Sequence, residues 1–189
     1  MYKVFAVLFL VSALLIVSCS DNTTNNNNTT NLNSVKVSNF SADTSGQTFK
    51  LFSFKNNAVV PVSDSATTKW DIGFKKTSII VNSAPYGPGL AGIQILAGTD
   101  FATLKTAPDA GYTSGSIDPS SKWYNYNQDT HIISPIPGVV IVMKTADGKY
   151  VKMRISSYYK DNPATPDQTS ISPFYTFDFV YQPDGTKNF

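Results

Sequence analysis

Short apolar runs alternate with turn residues along most of this chain, and this pattern predicts β-strands. Segment 69–75 alternates strictly, which predicts a strand with Trp70, Ile72 and Phe74 on one face. Segment 174–181 repeats the pattern with an aromatic side chain at every second position: Tyr175, Phe177, Phe179 and Tyr181. Strands that bury one face have this period of two, so we expect these aromatic side chains to lie in the core.

Turn signals between the runs predict antiparallel hairpins. Asn56–Asn57 separates the strand-like segments 48–54 and 58–62. Asp147–Gly148 separates two longer runs within 139–159, and glycine readily takes the positive φ that tight turns need. Each turn joins two runs that follow one another in sequence, so we expect them to pair.

A single helix is predicted. It begins at Thr99–Asp100, which can cap a helix, and ends near Lys105. The other runs add up to roughly ten short strands, without the strand–helix alternation of parallel sheets. We therefore predict an all-β protein, an antiparallel β-sandwich or barrel-like fold with at most one or two short helices.

The first 18 residues have the pattern of a secretory signal peptide. Lys3 supplies a positive charge, Val4–Val17 is apolar apart from one serine, and Cys19 follows. The apolar run is shorter than the roughly 20 residues that span a bilayer. The junction 16–19 resembles the lipobox of bacterial lipoproteins, which implies that Cys19 is lipidated and anchors the protein to a membrane. An ordinary signal peptide with an incidental cysteine, or an uncleaved anchor, are the alternatives.

The next segment, 19–34, is rich in asparagine and threonine, and Leu32 is its one large apolar residue. Such a composition cannot form a core, so we predict a disordered tether. The remaining residues, 35–189, suffice for one domain.

Composition supports strands and excludes some partners. All 13 acidic residues are aspartates, which compete with helical hydrogen bonds, whereas glutamate favours helices. The net charge of +2 gives no sign of the concentrated basic face that nucleic-acid binding needs. Cys19 is the only cysteine, so we expect no disulfide.

The side chains available for catalysis are few. The chain has one histidine, His131, one arginine and no Gly-x-Ser-x-Gly motif, and zinc sites commonly use several His or Cys ligands. The glycine-rich segment 86–92 lacks the Gly-Lys-Ser/Thr end of a phosphate loop and precedes a predicted strand. We therefore expect a binding protein rather than an enzyme.

Four residues are candidates for binding. His131 is either a hydrogen-bonded structural residue or a metal ligand, since imidazole is a common axial ligand of haem iron. Trp123, Tyr124 and Tyr126 lie close to it in sequence. They could line an apolar slot for a planar ligand, stack against a sugar, or simply pack as a strand.

Four segments together resemble the HmuY family of bacterial lipoproteins. They are residues 70–82, 123–126, 144–153 and 158–181, and their order and spacing are similar to the family across nearly the whole predicted domain. The resemblance implies an all-β fold shaped like a right hand and an outer-membrane or cell-surface location. It also implies haem capture for iron acquisition, in partnership with a TonB-dependent outer-membrane receptor.

The chain departs from the family at the haem iron. The resemblance implies two axial ligands, which are histidines in the best-known member and methionines in some relatives. Here segment 111–123 is short where one ligand is expected, and the other ligand position falls near 127–128, a few residues before His131. Met143 and Met153 lie on opposing strands of a predicted hairpin, with Met153 on the face expected to be core.

Two hypotheses follow. The first is a haem-binding surface lipoprotein in which His131 alone ligates the iron, with Trp123, Tyr124 and Tyr126 against the porphyrin ring. The second is a lipoprotein that uses the same scaffold to bind a glycan, a peptide or a partner protein instead of haem.

Overall fold

The computed structural model describes residues 32–42, 45 and 47–189, and these form eleven β-strands and one short 3₁₀ helix, Val62–Asp64. The strands are β1 Val35–Ser41, β2 Lys50–Ser53, β3 Ala58–Val60, β4 Ile72–Lys75, β5 Ser78–Val81, β6 Gly92–Leu96, β7 Tyr124–Tyr126, β8 Ile133–Pro135, β9 Val140–Lys144, β10 Tyr150–Ser157 and β11 Phe174–Gln182. Within these residues, no helix is long and apolar enough to cross a bilayer. The predicted signal peptide, Cys19 and most of the predicted tether lie outside them.

The strands form three antiparallel sheets. A five-stranded sheet has the order β1-β11-β10-β9-β6, and a four-stranded sheet has the order β3-β2-β4-β5. Strands β7 and β8 form a separate two-stranded hairpin. The predicted hairpins β2–β3 and β9–β10 are both present, which confirms the all-β antiparallel prediction.

The two larger sheets pack face to face over an aromatic core. Phe52 and Phe74 of the four-stranded sheet each lie 5.7 Å, between ring centres, from Phe177 of β11. Aromatic pairs at such distances stabilise a fold by about 0.5–1.5 kcal/mol beyond the area they bury. Met143 and Met153 are fully buried in the same core, as predicted for Met153.

The other face of the five-stranded sheet carries a second apolar cluster, and here the predicted helix is wrong. Residues 101–103 form a turn, in which Asp100 Oδ1 accepts hydrogen bonds from the N–H groups of Ala102 and Thr103. A helix cannot continue past this point because Pro108 has no N–H to donate to the carbonyl of Leu104. The carbonyls of Phe101 and Leu104 accept from the buried ammonium of Lys152 instead, at 2.9 and 2.6 Å. Those carbonyls thus serve a distant strand instead of a further helical turn.

Trp70 does not share a face with Ile72 and Phe74, contrary to the alternation. It is fully buried in a third cluster, against Leu51, Val60 and Ile80. Strand β4 begins only at Ile72, so the period of two does not extend back to Trp70. Its indole N–H donates to Ser65 O at 2.9 Å instead.

The β7–β8 hairpin is held to the body of the domain by two hydrogen bonds. Ile133 N–H donates to Tyr159 Oη at 2.9 Å, and the indole N–H of Trp123 donates to Thr77 O at 3.2 Å. Within the hairpin, the backbone N–H of Ile136 donates to Trp123 O at 2.9 Å. The hairpin is thereby fixed beside strand β5, where the candidate site lies.

Candidate ligand-binding cleft

An open cleft of about 820 Å³ lies between strand β5, segment 116–122 and the β7–β8 hairpin. We call it the hairpin cleft. Its volume is in the range of small-molecule and cofactor sites. Its lining combines aromatic, charged and uncharged polar side chains, among them Phe49, Lys75, Ser78, Tyr86, Ser116, Asp118, Lys122, Tyr124, Asn125, Tyr126 and Gln128.

Two exposed tyrosines stand at the hairpin cleft. Tyr126 is 50% exposed and Tyr86 is 44% exposed, although both side chains are large. Tyr86 packs on Phe49 at 5.8 Å between ring centres, and the half-buried Tyr124 packs on Trp123 at 4.7 Å. Rings of this kind offer flat apolar faces to a ligand and a polar hydroxyl at the edge.

Two lysines supply positive charge to the hairpin cleft. The ammonium of Lys75 lies 4.9 Å from the centre of the Phe49 ring, and Lys122 is exposed on the lining. The cleft's carboxylate, Asp118, accepts hydrogen bonds from the hydroxyl and the backbone N–H of Ser120. These bonds lower the pKa of Asp118, so this carboxylate is ionised at neutral pH.

The structure places three of the four candidate residues on the lining of the hairpin cleft and one beside it. Trp123, Tyr124 and Tyr126 line the hairpin cleft, with Trp123 forming a buried wall at 4% exposure. His131 is exposed and lies behind Tyr126 rather than on the lining. Its Nδ1 lies 2.5 Å from Tyr126 Oη.

The loop that carries His131 has a defined shape. Asn127 Oδ1 accepts hydrogen bonds from the N–H groups of Asp129 and Thr130, at 2.9 and 3.0 Å, and Asn127 N–H donates to Ile132 O at 2.9 Å. His131 itself has φ of 58°, in the left-handed region that non-glycine residues seldom occupy. The loop therefore fixes the imidazole beside Tyr126 at some conformational cost.

Buried tyrosines lie behind the wall of the hairpin cleft. Burial raises the pKa of Tyr158 to about 12 and that of Tyr175 well above its ordinary value. Tyr175 also donates its hydroxyl hydrogen bond to Lys76 O at 2.7 Å. Both phenols therefore stay protonated and serve packing.

The sequence analysis missed Phe49, Lys75, Tyr86 and Lys122 as lining residues. Lys75 could have been found, because it is the polar end of the alternating segment 69–75. Lys122 could also have been found, because it directly precedes the predicted segment 123–126. Phe49 and Tyr86 could not, because only the packing of distant segments brings them to the hairpin cleft. Among the described residues, no three His, Cys, Asp or Glu side chains converge where a metal ion could be held.

Comparison with known proteins identifies the fold. No family model matches the chain, and no curated protein matches its sequence. The structure of apo PinO from Porphyromonas gingivitis matches with a TM-score of 0.53 and 14% identity, over 81% of this chain and 98% of that one. The apo HmuY analog of Tannerella forsythia matches with a TM-score of 0.50 and 11% identity, over 80% and 96%. This chain therefore has an HmuY-type fold, as its sequence predicted.

Proposed function

We propose that this protein is a haem-binding lipoprotein that takes up haem in the hairpin cleft. The observation that carries the proposal is the lining of that cleft, which presents exposed aromatic rings together with two lysines on an HmuY-type fold. A Bacteroides vulgatus protein described as HmuY-like and haem-binding also matches, with a TM-score of 0.48 and 17% identity over 78% of this chain and 90% of that one. That likeness is too low to add to the argument.

The lining of the hairpin cleft suits the chemistry of haem. Haem is a flat apolar ring with two carboxylates at one edge. The rings of Tyr86 and Tyr124 can contact the porphyrin plane, because aromatic faces stack on flat apolar groups. Lys75 and Lys122 can pair with the carboxylates, since charge-assisted hydrogen bonds of this kind are stronger than neutral ones.

The proposal places the protein at the outer membrane or cell surface, anchored by lipid on Cys19. The apolar run and the lipobox-like junction of the sequence support this. Metabolic labelling with a fatty-acid analogue tests it: the intact protein incorporates the label and a Cys19→Ala variant does not. Equal labelling of the two would overturn the lipid anchor. Delivery of haem to a TonB-dependent receptor stays a prediction from the family resemblance.

A non-haem ligand is the second candidate, and the polar lining of the hairpin cleft favours a glycan. Asn125, Gln128 and Ser78 offer amide and hydroxyl groups next to exposed aromatic rings. Sugars bind to this combination through stacking and hydrogen bonds.

Parallel binding measurements on the mature chain without its lipidated Cys19, residues 20–189, separate the two candidates. A haemin titration followed by absorbance and a glycan array would be run on the same preparation. The proposal expects a saturable, equimolar haemin shift and no glycan bound. A glycan hit with haemin inert would replace haem by the second candidate.

A further inference from the structure

We propose that Tyr126, and not His131, is the residue that ligates haem iron, with His131 accepting the phenol proton. This inference rests on the proposed haem binding. The sequence predicted that the histidine itself ligates the iron. In the pair described here, the tyrosine ligates the iron and the histidine accepts the proton.

The positions of the two side chains distinguish them. Tyr126 lies on the lining of the hairpin cleft and is 50% exposed, so a ligand in the cleft can reach it. His131 does not line the cleft, and its Nδ1 is already engaged at 2.5 Å by Tyr126 Oη. A tyrosine is an established axial ligand of haem iron when it is deprotonated.

The hydrogen bond supplies the base that this deprotonation needs. Neutral imidazole has one protonated and one unprotonated nitrogen, and for Tyr126 Oη to donate, Nδ1 of His131 must be the unprotonated one. If haemin binds, Tyr126 Oη would hold the ferric iron as a phenolate, and Nδ1 of His131 would accept the proton that the phenol gives up. The iron would stay ferric and would release a water or chloride to solvent, so no oxidant or reductant would be needed.

The hairpin keeps the pair together before any ligand arrives. Tyr126 is paired with Ile133 in the β7–β8 register, and the hydrogen bond from Asn127 N–H to Ile132 O closes the loop directly after it. Within that loop His131 has a φ of 58°, an unfavourable backbone conformation that the surrounding loop maintains. The position of the imidazole is thereby fixed. Outliers of this kind often mark functional sites.

Among the residues that the structure describes, no other tyrosine can take this role in the same way. His131 is the only histidine, and it is engaged with Tyr126. Tyr158 and Tyr175 are buried at 5% and 0% exposure. Tyr124, the other tyrosine of strand β7, lines the cleft without an imidazole and provides a matched control.

The test compares haemin with iron-free protoporphyrin IX on four mature proteins: wild type, Tyr126→Phe, His131→Ala and Tyr124→Phe. Affinities would be measured by titration, and resonance Raman spectra of the ferric complexes would detect an iron–phenolate bond. We expect Tyr126→Phe to lose the iron–phenolate bands and to bind haemin about tenfold or more weakly, the change that follows from losing about 1.4 kcal/mol or more of binding energy. Its affinity for protoporphyrin IX should not change, because that ligand has no iron.

The remaining proteins complete the test. His131→Ala should keep the iron–phenolate bands but bind haemin more weakly, since the proton acceptor is gone, and Tyr124→Phe should keep the bands. Wild-type haemin binding with unchanged spectrum and affinity in Tyr126→Phe would overturn this inference and leave the proposed function standing. Loss of the iron ligand in His131→Ala alone would assign it to the imidazole. If the wild type binds neither ligand, the proposed function fails as well.

Discussion

At the residue scale, the most informative buried group is Asp71. Its carboxylate accepts hydrogen bonds from Phe54 N–H at 2.9 Å and from Ala146 N–H at 3.3 Å, which ties the start of β4 to the β9–β10 turn. Burial raises the pKa of Asp71 to about 6, with a smaller contribution from the nearby charge of Asp147, although the two hydrogen bonds lower it. The folded protein therefore holds an ionised carboxylate at neutral pH in an unfavourable environment.

This pKa predicts how stability changes with pH. The pKa of Asp71 in the folded protein lies above its unfolded value of 3.8. The protonated carboxyl group therefore stabilises the fold fully below pH 3.8, and this stabilisation is lost as the pH rises through about 6. A shift of about two pKa units corresponds to about 3 kcal/mol of unfolding free energy. We expect the difference in unfolding free energy between the wild type and Asp71→Asn, measured by urea denaturation, to change by about 3 kcal/mol between pH 3.8 and about pH 6. A constant difference would contradict the assignment.

His131 permits a second prediction at this scale. Asparagine tolerates a positive φ, so His131→Asn should keep the loop and change the unfolding free energy by no more than about 0.5 kcal/mol. The same variant should bind haemin more weakly, because the imidazole beside Tyr126 is gone. Thermal denaturation and haemin titration measure the two effects. A large loss of stability would mean that the imidazole holds the loop itself.

At the scale of elements, the β7–β8 hairpin decides the geometry of the cleft. It has only three residues in each strand, so its position depends on anchors outside it. Tyr159 Oη, Thr77 O and the buried Trp123 side chain provide them. The tryptophan therefore supports the site from behind, in addition to forming part of its wall.

Removing one anchor should loosen the hairpin. Tyr159→Phe leaves the N–H of Ile133 without its hydroxyl acceptor, and the loss of such a bond costs about 1–3 kcal/mol. We expect faster amide exchange in β7 and β8 and weaker haemin binding. Tyr112→Phe is the control, because it also removes a hydroxyl that bonds to the backbone. That hydroxyl donates to Pro108 O, and Tyr112 packs in the second apolar cluster. Equal effects of both variants on haemin binding would contradict the role of the hairpin.

The elements also separate what the sequence can predict from what it cannot. The aromatic alternation of β11 and the Asp147–Gly148 turn are local signals, and both strand and hairpin follow from them. The helix at 100–105 is predicted from an equally good local signal. In the structure, however, two carbonyls of this segment accept hydrogen bonds from Lys152, which lies on a strand far along the chain. Likewise, the aromatic segment 123–126 predicted a binding surface, but the approach of Lys75 to it depends on how the strands pack.

At the scale of the whole molecule, an HmuY-type fold is reached with few identical residues. The match to apo PinO covers most of both chains at 14% identity, so the fold is carried by the pattern of buried positions rather than by particular side chains. Such a fold fixes where a cleft forms but leaves its ligands to the loops. The tyrosine–histidine pair that we propose would be a difference of this kind.

The measurement that tests the central claim most directly is a haemin titration of the mature chain beside a variant carrying both Lys75→Ala and Lys122→Ala. We predict saturable, equimolar binding by the wild type, and binding weaker by about tenfold in the variant, because two partly exposed charge pairs of up to about 1 kcal/mol each are lost. Lys36→Ala with Lys69→Ala removes the same charge away from the cleft and should bind as the wild type does. The absence of saturable binding, or equal affinity in all three proteins, would contradict haem binding in the hairpin cleft.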